Sequence, residues 1–135
     1  MIEAFDLEEP DDAVHAEVSG RFRDYNAERS GWTVQTFSLV RREAGEIVAG
    51  GRGLVYLGAL EVRGLWVDPS LRGTGLGAAL LTAIEAEGRG RGASRGMLYT
   101  YSWQAEGFYA RHGWRPYGRF PFPEGHERIE MMKEL

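Results

Sequence analysis

Residues 65–81, LWVDPSLRGTGLGAALL, constrain this chain more than any other stretch. A short apolar run ends at Asp68-Pro69. Glycines follow at 73, 75 and 77, and a helical pattern begins. Glycine at alternate positions weakens a helix start unless the backbone there must be exposed. Successive main-chain N–H groups at a helix N-terminus form a ready anion site. A strand, a glycine loop and a helix in that order point to a bound phosphate.

Three phosphate loops compete for these residues. Gly73 to Ala78, GTGLGA, matches the dinucleotide pattern G-x-G-x-x-G/A. That fold runs its strand straight into the first glycine and places an acid ~20 residues on to hold the ribose. Here five residues intervene, and residues 93–98, ASRGML, hold no acid. The nucleoside-triphosphate loop needs G-K-[ST], which is absent. The same residues fit R-x-x-G-x-G better, Arg72 to Gly77, after a strand ending in V-D-P; the alternative is a glycine-rich turn that simply joins strand to helix.

Around this loop the pattern alternates strands and helices. Residues 2–6 read as a first strand. Asp11 or Asp12 can cap a helix whose apolar face is Val14, Val18, Phe22 and Tyr25, fading near Asn26, with a turn at Ser30-Gly31. Strands are expected over 32–42, 47–57 and 60–67, with Gly50, Gly51 and Gly53 marking bulges or close packing. The helix after the loop carries Leu76, Leu80, Ala83, Ile84 and Glu87 on one face, and Gly88 can end it. A strand at 97–101, a short helix at 104–112, a strand at 114–119, a loop at FPFPEG and a strand at 126–133 complete the chain. The order β-α-β-β-β-α-β-α-β-β predicts an α+β fold in a single domain over 1–135. It implies a mixed, mostly antiparallel sheet of about seven strands with three to four helices.

The later segment TYSWQAEGFYARHGWRPYGRFP adds a second signal, Phe108-Tyr109-x-x-x-Gly113-Trp114 after Gln104-Ala105. Together with Arg72-Gly73-Thr74-Gly75-Leu76-Gly77, this resembles the GNAT superfamily of acetyl-CoA-dependent N-acetyltransferases, from about residue 47 to the end. The resemblance implies that the Arg72 to Gly77 loop holds the coenzyme A pyrophosphate. It implies that backbone at Leu65, Trp66 and Val67 hydrogen-bonds the pantetheine arm, and that the 65–67 strand splays from 97–101 to admit it. It places Gln104, Phe108 and Tyr109 beside the coenzyme, although Phe108 also reads as a core aromatic. Tyr109 becomes the general acid, since a phenol near pKa 10 suits protonation of a leaving thiolate.

The implied reaction moves an acetyl group to a primary amine by direct attack in a ternary complex. Amines near pKa 10 are mostly protonated at neutral pH, so a base is needed. Glu61, six residues before Val67 at a position where some members of the resembled family keep a catalytic glutamate, is the candidate, with a water chain as the other route. It reads equally as an exposed strand residue paired with Arg63. Period two puts Glu61, Arg63 and Leu65 on one face. Arg63 departs from the family pattern, in which many relatives carry an acid nearer that position. Tyr25, Asn26, Trp32 and His126 are the expected acceptor contacts, with Trp103 a groove wall. His15 and His112 read as surface residues. A coenzyme-A-binding sensor without catalysis is the alternative.

Composition narrows the rest. A net charge of -4 disfavours a nucleic-acid partner and mildly favours a cationic one. No cysteine excludes thiolate metal sites and cysteine nucleophiles, and three scattered histidines predict no metal. No run of 18 apolar residues and no signal-peptide pattern predict a cytoplasmic protein without a membrane partner. A homodimer is an expectation carried by the resemblance alone.

Overall fold

The computed structural model describes residues 12–135, so the strand expected at 2–6 lies outside the described residues. The chain forms two compact units, one ending at Thr33 and the other Val34–Leu135. The first holds helix α1, Asp12–Ser30. It runs four residues past the expected fade at Asn26. Ala27, Glu28 and Arg29 are competent helix formers, and Gly31 ends the helix in the left-handed region at φ +65°, its N–H donating to Ala27 O at 2.9 Å. Val14, Val18, Phe22 and Tyr25 are all exposed.

The second unit contains strands β1 Gln35–Glu43, β2 Glu46–Tyr56 and β3 Ala59–Val67, helix α2 Leu76–Gly90, and strand β4 Arg95–Tyr101. Helix α3 Glu106–Arg111 and strands β5 Arg115–Pro121 and β6 Glu127–Glu134 complete it. One sheet runs in the order β1-β2-β3-β4-β6-β5. Every neighbouring pair is antiparallel except β3 and β4. The α+β class and mostly antiparallel sheet are as expected. Among the described residues there are six strands and three α-helices, rather than about seven strands and three to four helices.

Local chemistry sets the two hairpins. Ala44 (φ +49°) with Gly45 (φ +82°), and Leu57 (φ +51°) with Gly58 (φ +77°), are two-residue turns with both φ values positive. That geometry follows the right-handed twist of the strands it joins. Pro116 and Pro121 are tolerated because β5 is an edge strand.

The glycines of β2 make close packing. A Cβ on Gly53 would lie 2.2 Å from Phe37 Cζ, and one on Gly51 would lie 2.7 Å from Ile84 Cδ1. Opposite Gly51, β3 bulges. Gly50 faces Trp66 and Arg52 faces Arg63, so Gly64 and Leu65 together oppose one residue. Gly64 takes φ +67° to do so. The bulge overturns the simple alternation, because Leu65 packs on the core with Ile84 instead of sharing a face with Glu61 and Arg63.

The core joins Leu60 and Val62 of β3, Leu81 and Ile84 of α2, Leu98 of β4, Tyr109 of α3, Trp114 just after it, and Ile129 and Met131 of β6. The buried stripe of α2 is Leu81, Ile84, Glu85 and Gly88, rotated from the expected Leu76, Leu80, Ala83, Ile84 and Glu87. Glu87 instead pairs with Arg91 near the surface at 3.0 Å. Gly88 does not end the helix, which continues to Gly90. A Cβ there would come within 2.8 Å of Leu60 Cδ2, so glycine permits helix and sheet to touch.

Candidate active site

The parallel ladder between β3 and β4 is short. Ala59 faces Arg95, Leu60 faces Gly96 and Glu61 faces Met97, and no pairing follows. Both strands continue, β3 to Val67 and β4 to Tyr101. The sheet therefore opens as a V whose vertex is Glu61 and Met97. The glycine loop leaves the far end of β3. Six residues of strand separate vertex and loop, ~20 Å, about the reach of an extended phosphopantetheine chain.

At the open end, Asp68 caps a 3-10 turn, Pro69–Leu71, and accepts from Ser70 N at 2.9 Å and Ser70 Oγ at 2.6 Å. The Ser70 hydrogen bonds hold its carboxyl below the usual carboxylate range. Arg72 Nε donates to Val67 O at 3.0 Å, so Arg72 braces the loop against its strand. Thr74 Oγ1 bonds Leu71 O. Gly73 and Gly75 sit at φ +77° and +86°, and a Cβ on either would meet nothing within 4 Å. Their requirement is conformational. Gly77 has ordinary φ, and its missing Cβ would just touch Val67 and Phe108, at 3.6 and 3.7 Å.

No side chain caps α2 and no acid sits in its first turn. Its first intrahelical bond is Ala79 N to Gly75 O at 3.0 Å. The N–H groups of Leu76, Gly77 and Ala78 thus point outward at the positive end of the helix dipole. Val67, Gly77 and Phe108 meet at this mouth, bringing β3, α2 and α3 together.

Of the other expected coenzyme contacts, Trp66 is exposed and Leu65 is half-buried in the core. Gln104 holds the turn after β4. Its Oε1 accepts from Tyr101 N at 3.1 Å and Thr100 Oγ1 at 3.2 Å. Phe108 stacks edge-on to Tyr109 at 5.2 Å and lies 4.7 Å from the His112 ring. Tyr109 is buried, and burial alone pushes its phenol above its ordinary value.

At the vertex, Glu61 is mostly buried and held from two sides. Arg63 Nε donates to Oε1 at 2.9 Å and Tyr56 donates its O–H to Oε2 at 3.0 Å. Burial, with the Glu61 hydrogen bond second, raises the Tyr56 phenol. Sequence reading missed Tyr56, although the two-residue turn at Leu57-Gly58 sets Leu54 opposite Glu61 and Tyr56 on its diagonal.

The expected acceptor residues divide between the units. Tyr25 and Asn26 lie on α1, where Arg29 Nε donates to Tyr25 Oη at 3.4 Å and Asn26 O accepts from Ser30 Oγ at 2.6 Å. Trp32 follows α1, and its N–H donates to Ser30 Oγ at 3.1 Å. His126 belongs to the second unit. Its ring meets Trp103 edge-on at 4.9 Å, and Trp103 stacks on Tyr101 at 4.7 Å. Trp103 and His126 line, with Phe122, Pro123 and Glu124, an open cleft of about 440 Å³. Among the described residues no cluster of three His, Asp or Glu could hold a metal ion, and no helix is long and apolar enough to cross a membrane.

A sheet opened at one parallel junction, with a glycine loop feeding a helix beside the opening, matches a known class of acyl-transfer enzyme. The Acetyltransferase (GNAT) family profile matches residues 2–114, and this chain belongs to that family. It is an N-acetyltransferase. The blasticidin-S acetyltransferase of Streptomyces morookaense is 39% identical over 95 residues, which cover 69% of this chain and 70% of that protein. A crystal structure of an acetyltransferase from Bacillus cereus ATCC 14579 superposes with TM-score 0.81 at 30% identity, over 97% of this chain and 98% of that one. A protein from Agrobacterium tumefaciens superposes with TM-score 0.90 at 23% identity, over 99% and 100% of the two chains, a likeness of fold.

Proposed function

We propose that this chain binds acetyl-CoA in the opening between β3 and β4 and transfers its acetyl group directly to a primary amine in a ternary complex. The observation that carries the proposal is the ladder that stops at Glu61 and Met97 while the glycine loop waits at the end of β3. The diphosphate would take the N–H groups of the loop and of Leu76, Gly77 and Ala78. The arm would run along Leu65 to Val67 toward the vertex, with Gln104 and Phe108 beside it.

At the vertex the neutral amine nitrogen attacks the thioester carbonyl. The C–N bond forms, and the developing oxyanion would be met by a backbone N–H of β3 beside the vertex rather than by Trp66 or Val67, which lie about 20 Å along the strand. The C–S bond then breaks, and Tyr109 gives its proton to the departing thiolate. Glu61 takes the amine's proton, directly or through water. Holding both reactants supplies much of the rate.

Blasticidin S is a reasonable first acceptor to try, because it names the activity of a relative 39% identical over 95 residues. The test begins with thermal unfolding in acetyl-CoA, coenzyme A and NAD separately. A ligand at 100 times its dissociation constant adds about 2.7 kcal/mol, a shift of several degrees at this size. Stabilisation by acetyl-CoA but not NAD, followed by amine-dependent release of free thiol, is expected. Stabilisation without turnover of any amine would favour a coenzyme sensor.

A further inference from the structure

Arg52 and Arg63 stand directly opposite each other across β2 and β3. Both line an open cleft of about 340 Å³ with Ser38, Val40, Ile47 and Trp66. That volume lies within the range of small-molecule sites. Like charges directly opposite on adjacent strands destabilise the pair. Glu61 answers Arg63, and among the described residues Arg52 has no ion-pair partner. The cleft is lined mostly by apolar surface, with Arg52, a cation that has no ion-pair partner among the described residues, among its lining residues beside Trp66, Val40 and Ile47. The Gly64 bulge lies within it, and Gly50 and Gly51 add no side chains to its floor.

The cleft also has a fixed relation to the vertex. Leu54 is the residue opposite Glu61, and Arg52 lies two residues further along the same strand. Two residues of strand are ~7 Å. One molecule with an amine at Glu61 and an anion at Arg52 would span both.

We propose that this cleft is the acceptor subsite for an anionic group, so that the acceptor is a primary amine carrying a carboxylate some 7 Å from its nitrogen. This rests on the acetyltransferase reading with the reacting amine near Glu61. A guanidinium meets a carboxylate through two parallel N–H donors, which fixes orientation as well as charge. Trp66, Val40 and Ile47 would cover the apolar body between the two ends.

The probe pair is 4-(aminomethyl)benzoate and its neutral partner 4-(aminomethyl)benzamide, added to the full chain saturated with coenzyme A. Binding is read by tryptophan fluorescence and by unfolding temperature at constant ionic strength, and turnover by thiol release from acetyl-CoA. The benzoate should bind about tenfold more tightly than the benzamide. Arg52→Gln should erase that preference while the coenzyme still stabilises the protein, and Arg52→Lys should keep part of it. Equal binding of the two probes, no binding of either, or a preference that survives Arg52→Gln would overturn the subsite. Benzoate bound at Arg52 with no amine acetylated would leave the subsite standing and sink the transferase reading. Acetylation of both probes at equal kcat/KM would do the reverse.

Discussion

Tyr56 donates its hydroxyl proton to Glu61 Oε2 at 3.0 Å, across the β2–β3 hairpin. Arg63 holds the other oxygen at 2.9 Å. The carboxylate at the vertex is therefore aimed from two strand positions on the same hairpin.

If Glu61 takes the amine's proton, Glu61→Gln should lower kcat/KM for the amine by about 10²-fold, the usual scale of general-base catalysis. Stabilisation by acetyl-CoA should survive, since the loop lies about 20 Å along the strand. An unchanged rate in a steady-state thiol assay would assign the proton to a water chain.

Tyr56→Phe removes one donor and leaves Arg63 in place. A hydrogen bond to a charged group is worth about 1.5–3 kcal/mol, so a poorly aimed carboxylate should slow the amine reaction by about tenfold or more. The coenzyme's KM should not move. A loss that appears in acetyl-CoA binding instead would make Tyr56 a general structural residue.

Tyr109 ties its proposed role as acid to alkaline stability. Its phenol is raised by burial, so folding favours the neutral form. That contribution is complete below the unfolded value of about 10 and is lost as pH rises from there through the folded value. Tyr109→Phe should flatten the fall in unfolding free energy above about pH 10, leaving the part due to Tyr56, which is also raised. The same variant should lower kcat if the phenol protonates the thiolate. Denaturant titrations at several alkaline pH values read the first effect and initial rates the second.

Gly75 caps the start of α2 at φ +86° with open space where a side chain would stand. Gly75→Ala should cost about 1–2 kcal/mol through backbone strain alone. Gly75→Glu adds a carboxylate at the helix N-terminus, where the diphosphate is proposed to bind. It should abolish the acetyl-CoA shift in a thermal melt while the protein remains folded. A retained shift would move the diphosphate elsewhere.

Glu85 of α2 is buried and meets Lys133 Nζ at 2.5 Å, and the same ammonium donates to His112 O at 2.8 Å. This ion pair ties α2 to β6 and to the end of α3. Lys133→Met should destabilise by about 3–5 kcal/mol, because an unpaired charge stays buried. Adding Glu85→Leu should recover most of it, and a denaturant double-mutant cycle measures the coupling.

Much of this was readable along the chain. The V-D-P strand end, the glycines at 73 and 75 and the FY-x-x-x-G-W segment each act through a few neighbouring residues. They set the order of elements and placed the loop at the head of α2. Boundaries were less legible where packing intervened. Gly88 looks like a helix stop, yet it marks where α2 touches Leu60.

By itself, the sequence determined the order of the described elements and the loop, because backbone freedom at glycine and apolar periodicity are local properties. Only the tertiary structure decided where β3 and β4 part, that the Gly64 bulge turns Leu65 inward, that Tyr56 reaches Glu61, and that Arg52 faces Arg63. Those facts depend on register and on close approach between strands. A one-residue slip in register exchanges the two faces of a strand, and only the packed sheet selects one.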